Sequence, residues 1–196
     1  MSTVLLVVFG YLCGSIPTGV WFARSAGVDV RRAGSGNIGA TNVARTAGAL
    51  AGLLTLICDV AKGFLPTLLA DAVVADRWQA VAVGIAAVVG HVFPIFARFA
   101  GGKGVATAFG VFLHLAPGAA AVSAVVFALV AVLTRYVSLA SMLAAAALPA
   151  VCAAIHHPPP IWLGAVLVGA LVIARHRDNI RRLRAGSEPA FRLPGR

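Results

Sequence analysis

Residues 47–70, AGALAGLLTLICDVAKGFLPTLLA, make an apolar run that contains only two charged residues, Asp59 and Lys62. About 20 helical residues cross the roughly 30 Å hydrocarbon core of a bilayer, so this run is long enough to span a membrane. Ionisable side chains inside a membrane are costly and usually paired, and a spacing of three places these two on one helical face. We predict a transmembrane helix in which Asp59 and Lys62 form a structural pair or contribute to a functional site.

The rest of the chain has the same character. Of its 196 residues, 60% are hydrophobic and 11% are charged, and its mean hydropathy is +0.95. A soluble domain is about half apolar and about a quarter charged, so this chain has too few charges to cover a water-exposed surface. We predict an all-α integral membrane protein, a single domain over residues 1–196, with about seven transmembrane helices. The six further apolar runs lie at 3–23, 79–97, 104–117, 119–134, 137–156 and 160–174.

Several of these runs are shorter than a full span, namely 104–117, 119–134 and 160–174. Either the bilayer thins locally or the cytoplasmic loops are recessed into the membrane. A recessed polar surface would let a membrane-dissolved substrate meet a water-soluble one.

Basic residues are concentrated in alternate breaks between the runs. The break at 24–46 contains four arginines, the later odd-numbered breaks contain three more basic residues, and seven arginines follow residue 174. Because basic loops stay on the cytoplasmic side, we predict that the N-terminus is outside and the C-terminus is cytoplasmic. The run at 3–23 fits an uncleaved first helix rather than a signal peptide, because its first charge, Arg24, follows the apolar core.

The composition also excludes several classes of ligand. A formal net charge of +10 would often indicate nucleic-acid binding, but here the basic residues flank apolar runs and point to membrane orientation and anionic ligands. None of the three cysteines lies in a metal-binding spacing, and six acidic residues are too few for a carboxylate cage. We therefore expect no metal, no other cofactor, no nucleic acid and no obligatory protein partner.

The first polar loop contains a glycine-rich stretch, Gly34-Ser35-Gly36-Asn37-Ile38-Gly39-Ala40-Thr41-Asn42, followed by Arg45. Glycine-rich backbone can direct N–H groups at an anion, and the loop is expected to lead into the second helix, whose N-terminal dipole favours negative charge. Arg45 adds a forked cation. A flexible turn with a solvated charge is the alternative, but we favour phosphate binding because glycines and polar residues are so concentrated here. The neutral donors are Ser35, Asn37, Thr41 and Asn42.

Two more polar segments contain possible phosphate ligands. Gly101-Gly102-Lys103-Gly104 places a lysine between glycines at a predicted helix start; the alternative is a loop lysine that only marks the cytoplasmic side. The C-terminal segment combines arginines with His176, Asn179 and Glu188. A basic juxtamembrane helix on anionic lipid would explain the arginines but not these three residues.

Conventional acyl-transfer motifs are absent from the sequence. None of the five histidines has an aspartate five residues later, as one common class of glycerolipid acyltransferase requires. No G-x-S-x-G nucleophile elbow is present either. An enzyme with this sequence would work without a conventional triad.

At its polar segments the chain closely resembles the bacterial acyl-phosphate-dependent glycerol-3-phosphate acyltransferases, the PlsY family. The resemblance covers nearly the whole chain and keeps the family's order of motifs. One departure is that arginine replaces lysine over most of the cytoplasmic surface, although no motif position is affected. The matching segments are Gly14-Ser15-Ile16-Pro17, Gly34 to Asn42, Asp59 to Pro66, Gly90-His91 with Pro94, Gly101 to Thr107, and His176, Asn179, Ile180 and Glu188.

The resemblance implies a seven-helix inner-membrane enzyme with its active site on the cytoplasmic side. Such an enzyme moves a fatty acyl group from acyl phosphate to the 1-hydroxyl of glycerol 3-phosphate and yields lysophosphatidate and phosphate. Its partners would be these two substrates and membrane lipid. An acyl phosphate is already activated, so positioning and charge stabilisation would suffice, and the substrate's own phosphate could act as the base.

The resemblance also implies roles for individual residues. Ser35, Gly36, Asn37, Thr41 and Asn42 would hold the acyl-phosphate head. Glycerol 3-phosphate would be bound by Arg45, Gly102, Lys103, Gly104, His176 and Asn179, and the catalytic group would be Ser35, Arg45, Lys103, His176 and Asn179. Glu188 would brace the tail, with Asp59 and Lys62 as further support.

A membrane transporter of a phosphorylated or organic anion is the alternative function. Transporters place charges and broken helices near the midplane, usually in repeated halves. Here the polar residues cluster at one face and no internal repeat is visible, so we favour the enzyme.

The charge distribution makes a testable prediction about topology. In a cysteine-free variant, Ser187→Cys should be labelled by an impermeant thiol reagent only after the cells are opened, because the tail is predicted to be cytoplasmic. His157→Cys, in a break predicted to lie outside, is the matched control and should be labelled in intact cells. Labelling of position 187 from outside would contradict the predicted orientation.

Overall fold

The computed structural model describes residues 2–74 and 76–191, and regular structure within these ranges is entirely helical. The helices fall into two compact units, Met1–Leu115 and Ala116–Arg196. A short 3-10 turn, Ile95–Ala97, follows the fifth helix. The helices are α1 (Thr3–Gly14), α2 (Thr18–Ser25), α3 (Ala40–Ala47), α4 (Ala49–Val73), α5 (Arg77–Val92), α6 (Val105–Leu115), α7 (Pro117–Thr134), α8 (Val137–Ala154), α9 (Pro159–Ala174) and α10 (Arg177–Arg184).

The helices bear out a multi-span membrane protein. Five segments of the described chain are long and apolar enough to cross a bilayer: Thr3–Ser25, Ala49–Val73, Arg77–Ala97, Pro117–Thr134 and Val137–Ala154. The pair α9 and α10, bent by 55°, would make a sixth span if counted as one, and α6 is a shorter apolar helix. The predicted count of seven and the orientation of the termini stay predictions.

Two local predictions are wrong. The first apolar run is not one continuous helix, since Pro17, which has no N–H to donate, stands between α1 and α2 with φ −88° and ψ 63°. The break at 24–46 is not all loop, because α3 begins at Ala40. The glycine-rich stretch therefore leads into α3 rather than into the second span, and Gly48 separates α3 from α4.

Small residues let the helices of the Met1–Leu115 unit approach closely. A Cβ atom at Gly63 of α4 would overlap the backbone of Thr107 in α6, and one at Gly110 of α6 would overlap the backbone of Val60. Lipid tails are as apolar as leucine, so close packing rather than hydrophobic burial holds such helices together. The glycines of these runs therefore set the helix spacing.

In the Ala116–Arg196 unit, α8 packs against both α7 and α9. The end of the described chain returns to this bundle, because the backbone N–H of Phe191 donates to the carbonyl oxygen of Arg135 at 2.7 Å. Arg135 ends α7 in a left-handed conformation with φ 59°. The tail is thus attached to the turn between α7 and α8.

A buried ionic cluster holds the first unit together. Lys62 Nζ lies 2.7 Å from Asp59 Oδ1, which is the predicted pairing, and both side chains are at most 6% exposed. Thr18 Oγ1 donates to the same carboxylate oxygen at 2.7 Å, and Lys62 also donates to the carbonyl oxygen of Ile16 at 2.9 Å. His91 Nδ1 lies 3.6 Å from Asp59 Oδ1. The cluster therefore ties the break between α1 and α2 to α4 and α5.

We predict that Asp59→Asn lowers the free energy of unfolding by about 3–5 kcal/mol, because it leaves the buried Lys62 ammonium without a counter-charge. Unfolding of the purified protein in mixed detergent micelles would measure the change. Asp29→Asn is the control, since its pair with Arg32 is exposed and 3.6 Å long and should contribute no more than about 1 kcal/mol. Equal destabilisation by both variants would contradict a structural role for the buried pair.

Candidate active site

Asn42 organises the glycine-rich loop from inside. Its side chain is only 3% exposed. Its Nδ2 donates to the carbonyl oxygens of Asn37 at 2.9 Å and Ala33 at 3.1 Å, and its Oδ1 accepts the backbone N–H of Ser35 at 2.9 Å. One amide thus fixes the path of the loop over nine residues, so the structure assigns Asn42 a role in shaping the loop.

Several of the loop's own N–H groups are already bonded within the loop. Besides Ser35, Gly36 donates to the carbonyl oxygen of Ala33 at 3.0 Å, and Gly39 donates to Asn37 Oδ1 at 2.8 Å. The expectation that the remaining backbone N–H groups of the loop converge on an anion stays a prediction. The loop also presents the first turn of α3 and the exposed Ser35, whose hydroxyl makes no hydrogen bond to another described residue.

Arg45 lies in the last turn of α3 rather than in an open loop. Four residues separate it from Thr41, so the two share one face of the helix. Arg45 is exposed, and no carboxylate within residues 2–74 and 76–191 forms an ion pair with it. Its guanidinium is available to bind an anion that approaches this face.

The second glycine loop is packed directly onto His91. Gly102 donates its N–H to the carbonyl oxygen of His91 at 3.1 Å, and a Cβ atom at Gly102 would overlap the His91 imidazole. Any larger residue would lift the loop off α5. Lys103 is partly exposed and lies two residues before the start of α6. The position of the lysine backbone therefore depends on the buried His91 beneath it.

The two loops of this unit are joined. Arg31, which precedes the glycine-rich stretch, donates from Nη2 to the carbonyl oxygen of Ala97 at 3.3 Å. Ala97 ends the 3-10 turn that leads towards Lys103. The sequence alone did not predict a role for Arg31 or for Thr18. The position of Thr18, directly after the Gly14–Pro17 motif, could have indicated its role.

In the second unit, His176 is 2% exposed and is the N-cap residue of α10. Its Nδ1 lies 2.7 Å from the carbonyl oxygen of Val172. A carbonyl can only accept a hydrogen bond, so Nδ1 carries a proton and Nε2 is the basic nitrogen of the neutral ring. The bend between α9 and α10 therefore fixes both the orientation and the tautomer of His176.

Glu188 connects the tail to two helices. Its Oε1 accepts from Asn179 Nδ2 and from Ser138 Oγ, each at 2.6 Å, and its Oε2 accepts from Arg182 Nε at 2.8 Å. These contacts join the tail to α8 and α10, and Ser138 is a partner that the sequence did not reveal. The supporting role of Glu188 in the site stays a prediction.

The charge state of Glu188 follows from the same contacts. Burial alone would raise the pKa of the Glu188 carboxyl, but hydrogen bonds from Ser138, Asn179 and Arg182, with the charge of Arg182, hold this pKa below its usual value. The network therefore stabilises the fold above the ordinary glutamate pKa and is lost as the pH falls through the lowered value.

Comparison with known proteins identifies the family. The family model described as glycerol-3-phosphate acyltransferase matches residues 4–186. The glycerol-3-phosphate acyltransferase of Geobacter metallireducens is 51% identical over 190 residues, covering 96% of this chain and 97% of the relative. The protein of the same name from Aquifex aeolicus is 43% identical over 192 residues, covering 97% of this chain and 100% of the relative.

Solved structures agree with the sequence relatives. The glycerol 3-phosphate form of PlsY, an integral membrane glycerol 3-phosphate acyltransferase, superimposes with a TM-score of 0.94 at 43% identity, covering 98% of this chain and 96% of that one. Its lysophosphatidic acid form superimposes with a TM-score of 0.92 at 42% identity and the same coverage. With its apolar helices and its two glycine loops, the chain belongs to the PlsY family of integral membrane glycerol-3-phosphate acyltransferases.

Proposed function

We propose that this chain transfers a fatty acyl group from acyl phosphate to the 1-hydroxyl of glycerol 3-phosphate, releasing lysophosphatidate and inorganic phosphate. The observation that carries the proposal is the close match to relatives whose solved forms are named for glycerol 3-phosphate and lysophosphatidic acid. The proposal places the active site on the cytoplasmic side of the bacterial inner membrane, where the basic loops would meet water-soluble substrate.

The reaction needs little covalent chemistry from the protein. The 1-hydroxyl oxygen attacks the acyl carbonyl carbon, a new ester C–O bond forms, and the anhydride C–O bond to phosphate breaks. The hydroxyl proton passes to a phosphate oxygen of the substrate, and phosphate departs with the anhydride electron pair. The protein contributes positioning and positive charge around two phosphates, which is how well-oriented sites accelerate transfer.

In this proposal the glycine-rich loop holds the acyl-phosphate head. Ser35 donates its hydroxyl and Thr41 lies at the first turn of α3, while Asn42 acts by holding the loop in shape. The exposed Ser35 hydroxyl and the internal bonds of Asn42 support this division. Gly36 and Asn37 complete the loop.

Glycerol 3-phosphate is assigned to the cations and to the C-terminal segment. Arg45 and Lys103 neutralise its phosphate, with Gly102 and Gly104 shaping the loop around the lysine. His176 and Asn179 orient the glycerol hydroxyls, since the contacts to Val172 and Glu188 fix their side chains. Glu188, Asp59 and Lys62 support these residues without touching substrate.

The direct test uses purified protein in detergent with acyl phosphate and glycerol 3-phosphate. Time-dependent release of phosphate that requires both substrates, together with lysophosphatidate in the lipid extract, is the expected result. Phosphate release at the same rate without glycerol 3-phosphate would contradict acyl transfer. An acyl-CoA or acyl carrier protein that replaces acyl phosphate at equal rate would contradict the assigned donor.

We predict that Lys103→Ala lowers kcat/KM for glycerol 3-phosphate, because it removes a charge contact to a dianionic substrate. The decrease should correspond to a loss of about 2–4 kcal/mol of transition-state stabilisation. Arg45→Ala should behave alike. The loss should appear in the KM for glycerol 3-phosphate at least as much as in kcat. Arg32→Ala, which removes an exposed cation paired with Asp29, is the matched control. An unchanged KM in Lys103→Ala would refute the assignment.

We predict that no acyl-enzyme forms on Ser35. A nucleophilic serine needs a base that is oriented by a third group, and the groups bonded within this loop are amides and backbone. Ser35→Ala should therefore lose about 10²–10³ in kcat, as for an oxyanion donor. Incubation with acyl phosphate alone, followed by intact mass measurement, tests the mechanism. An adduct on Ser35 that forms and decays at the turnover rate would overturn it.

A further inference from the structure

A separate basic cavity lies beside the first polar loop. It has a volume of about 380 Å³ and is lined by three arginines, Arg24, Arg31 and Arg98, and by the aromatic side chains of Trp21 and Phe96. None of its lining residues belongs to the set assigned above to acyl phosphate or glycerol 3-phosphate. Cavities of this size accept small ligands or head groups.

The three arginines have no acidic partner within the described chain. Arg31 uses Nη2 to hold the carbonyl oxygen of Ala97 at 3.3 Å. Asp29, the acidic residue nearest in sequence, accepts the backbone N–H of Arg31 and pairs with Arg32, which does not line the cavity. Three guanidinium groups around one cavity repel each other unless an anion lies between them, and their forked donors suit phosphate.

The backbone next to this cavity is conformationally strained. Arg98 and Phe99 both adopt positive φ, at 54° and 61°, in a region that residues with a side chain rarely occupy. Such conformations persist only where the surrounding structure imposes them, and they cluster at ligand sites. The strained turn brings Arg98 to the cavity that Arg24 reaches from the last turn of α2.

The aromatic residues indicate the source of the anion. Trp21 is 57% exposed and Phe96 is 61% exposed, and their neighbours Ile95 and Phe99 are exposed as well. Exposed tryptophan and phenylalanine next to arginines are typical of the membrane interface, where basic residues bind anionic lipid. A water-soluble phosphate would gain nothing from this apolar rim.

We propose that this cavity binds the phosphate of an anionic membrane phospholipid, as a site separate from the substrate site. The arginines contact the head-group phosphate, while Trp21 and Phe96 lie against the glycerol and upper acyl chain. Such a lipid would fasten the loop that contains Arg31 and the turn before Lys103 to the membrane surface.

Lipid quenching of Trp21 fluorescence tests the proposal without relying on activity. Trp78→Phe and Trp162→Phe leave Trp21 as the only tryptophan of the three. The full chain is placed in phosphatidylcholine vesicles that contain brominated phosphatidylglycerol or brominated phosphatidylcholine. We expect phosphatidylglycerol to be preferred by about fivefold or more for each contributing arginine.

Two paired variants locate the preference. Arg24→Gln with Arg98→Gln should lower the preference for phosphatidylglycerol by about 25-fold, fivefold for each arginine, and leaves the Arg31–Ala97 contact in place. Arg32→Gln with Arg184→Gln removes the same charge from exposed sites outside the cavity and should change the preference less than about twofold. If the first pair does not fold, Arg24→Gln alone should lower the preference by about fivefold.

Three results would overturn the proposal. Equal quenching by both brominated lipids would mean that only unspecific lipid contacts Trp21. A preference that survives in the Arg24 and Arg98 variant would place the anionic lipid elsewhere. Loss of the preference on adding low millimolar inorganic phosphate would assign the cavity to a soluble anion.

Discussion

The Asp59 carboxylate is the interaction on which the first half of this molecule depends. It accepts from Thr18 and Lys62 at 2.7 Å each, and His91 lies within 3.6 Å. Burying an ionic cluster costs desolvation free energy that only good geometry offsets. That geometry is supplied by the break after α1, by α4 and by α5. The same cluster then supports the loop that contains Lys103, because His91 packs beneath Gly102.

Half of the acidic residues of the chain connect separate helices or segments. The chain has only six, and three of them each join separate elements. Asp59 joins α2, α4 and α5, Glu188 joins the tail to α8 and α10, and Asp71 holds both Arg77 and His114. In a protein whose helices face lipid, such polar contacts provide specificity that apolar packing lacks. The cations left without acidic partners, such as Arg45, are then available for anionic ligands.

The polar groups that hold the fold are distinct from those that we propose bind ligand, and this separation would let a chain without a triad act as an acyltransferase. Inside the glycine-rich loop, the side-chain amides of Asn37 and Asn42 bond backbone groups of the same loop and hold its path. Preorganised donors cost no reorganisation during reaction, which is the main source of electrostatic catalysis. His176 is fixed in the same way by Val172. The acyl phosphate that we propose as donor is already activated and would require little more than positioning.

The sequence by itself determined the membrane character, the all-helical fold, the family and the segments that carry polar chemistry. These properties are local, because apolar run length, glycine clusters and charge asymmetry are readable within about 20 residues. It also indicated the pair of Asp59 and Lys62, since a spacing of three defines a helical face. Only the tertiary structure decided that Asn42 is internal to its loop, that α3 precedes the second span, and which partners hold Asp59 and Glu188. Those partners are remote in sequence, since Thr18 and Asp59 are 41 positions apart and Ser138 and Glu188 are 50 positions apart. A hydrogen bond across such a separation depends on how the helices pack, and no pattern within either segment encodes it.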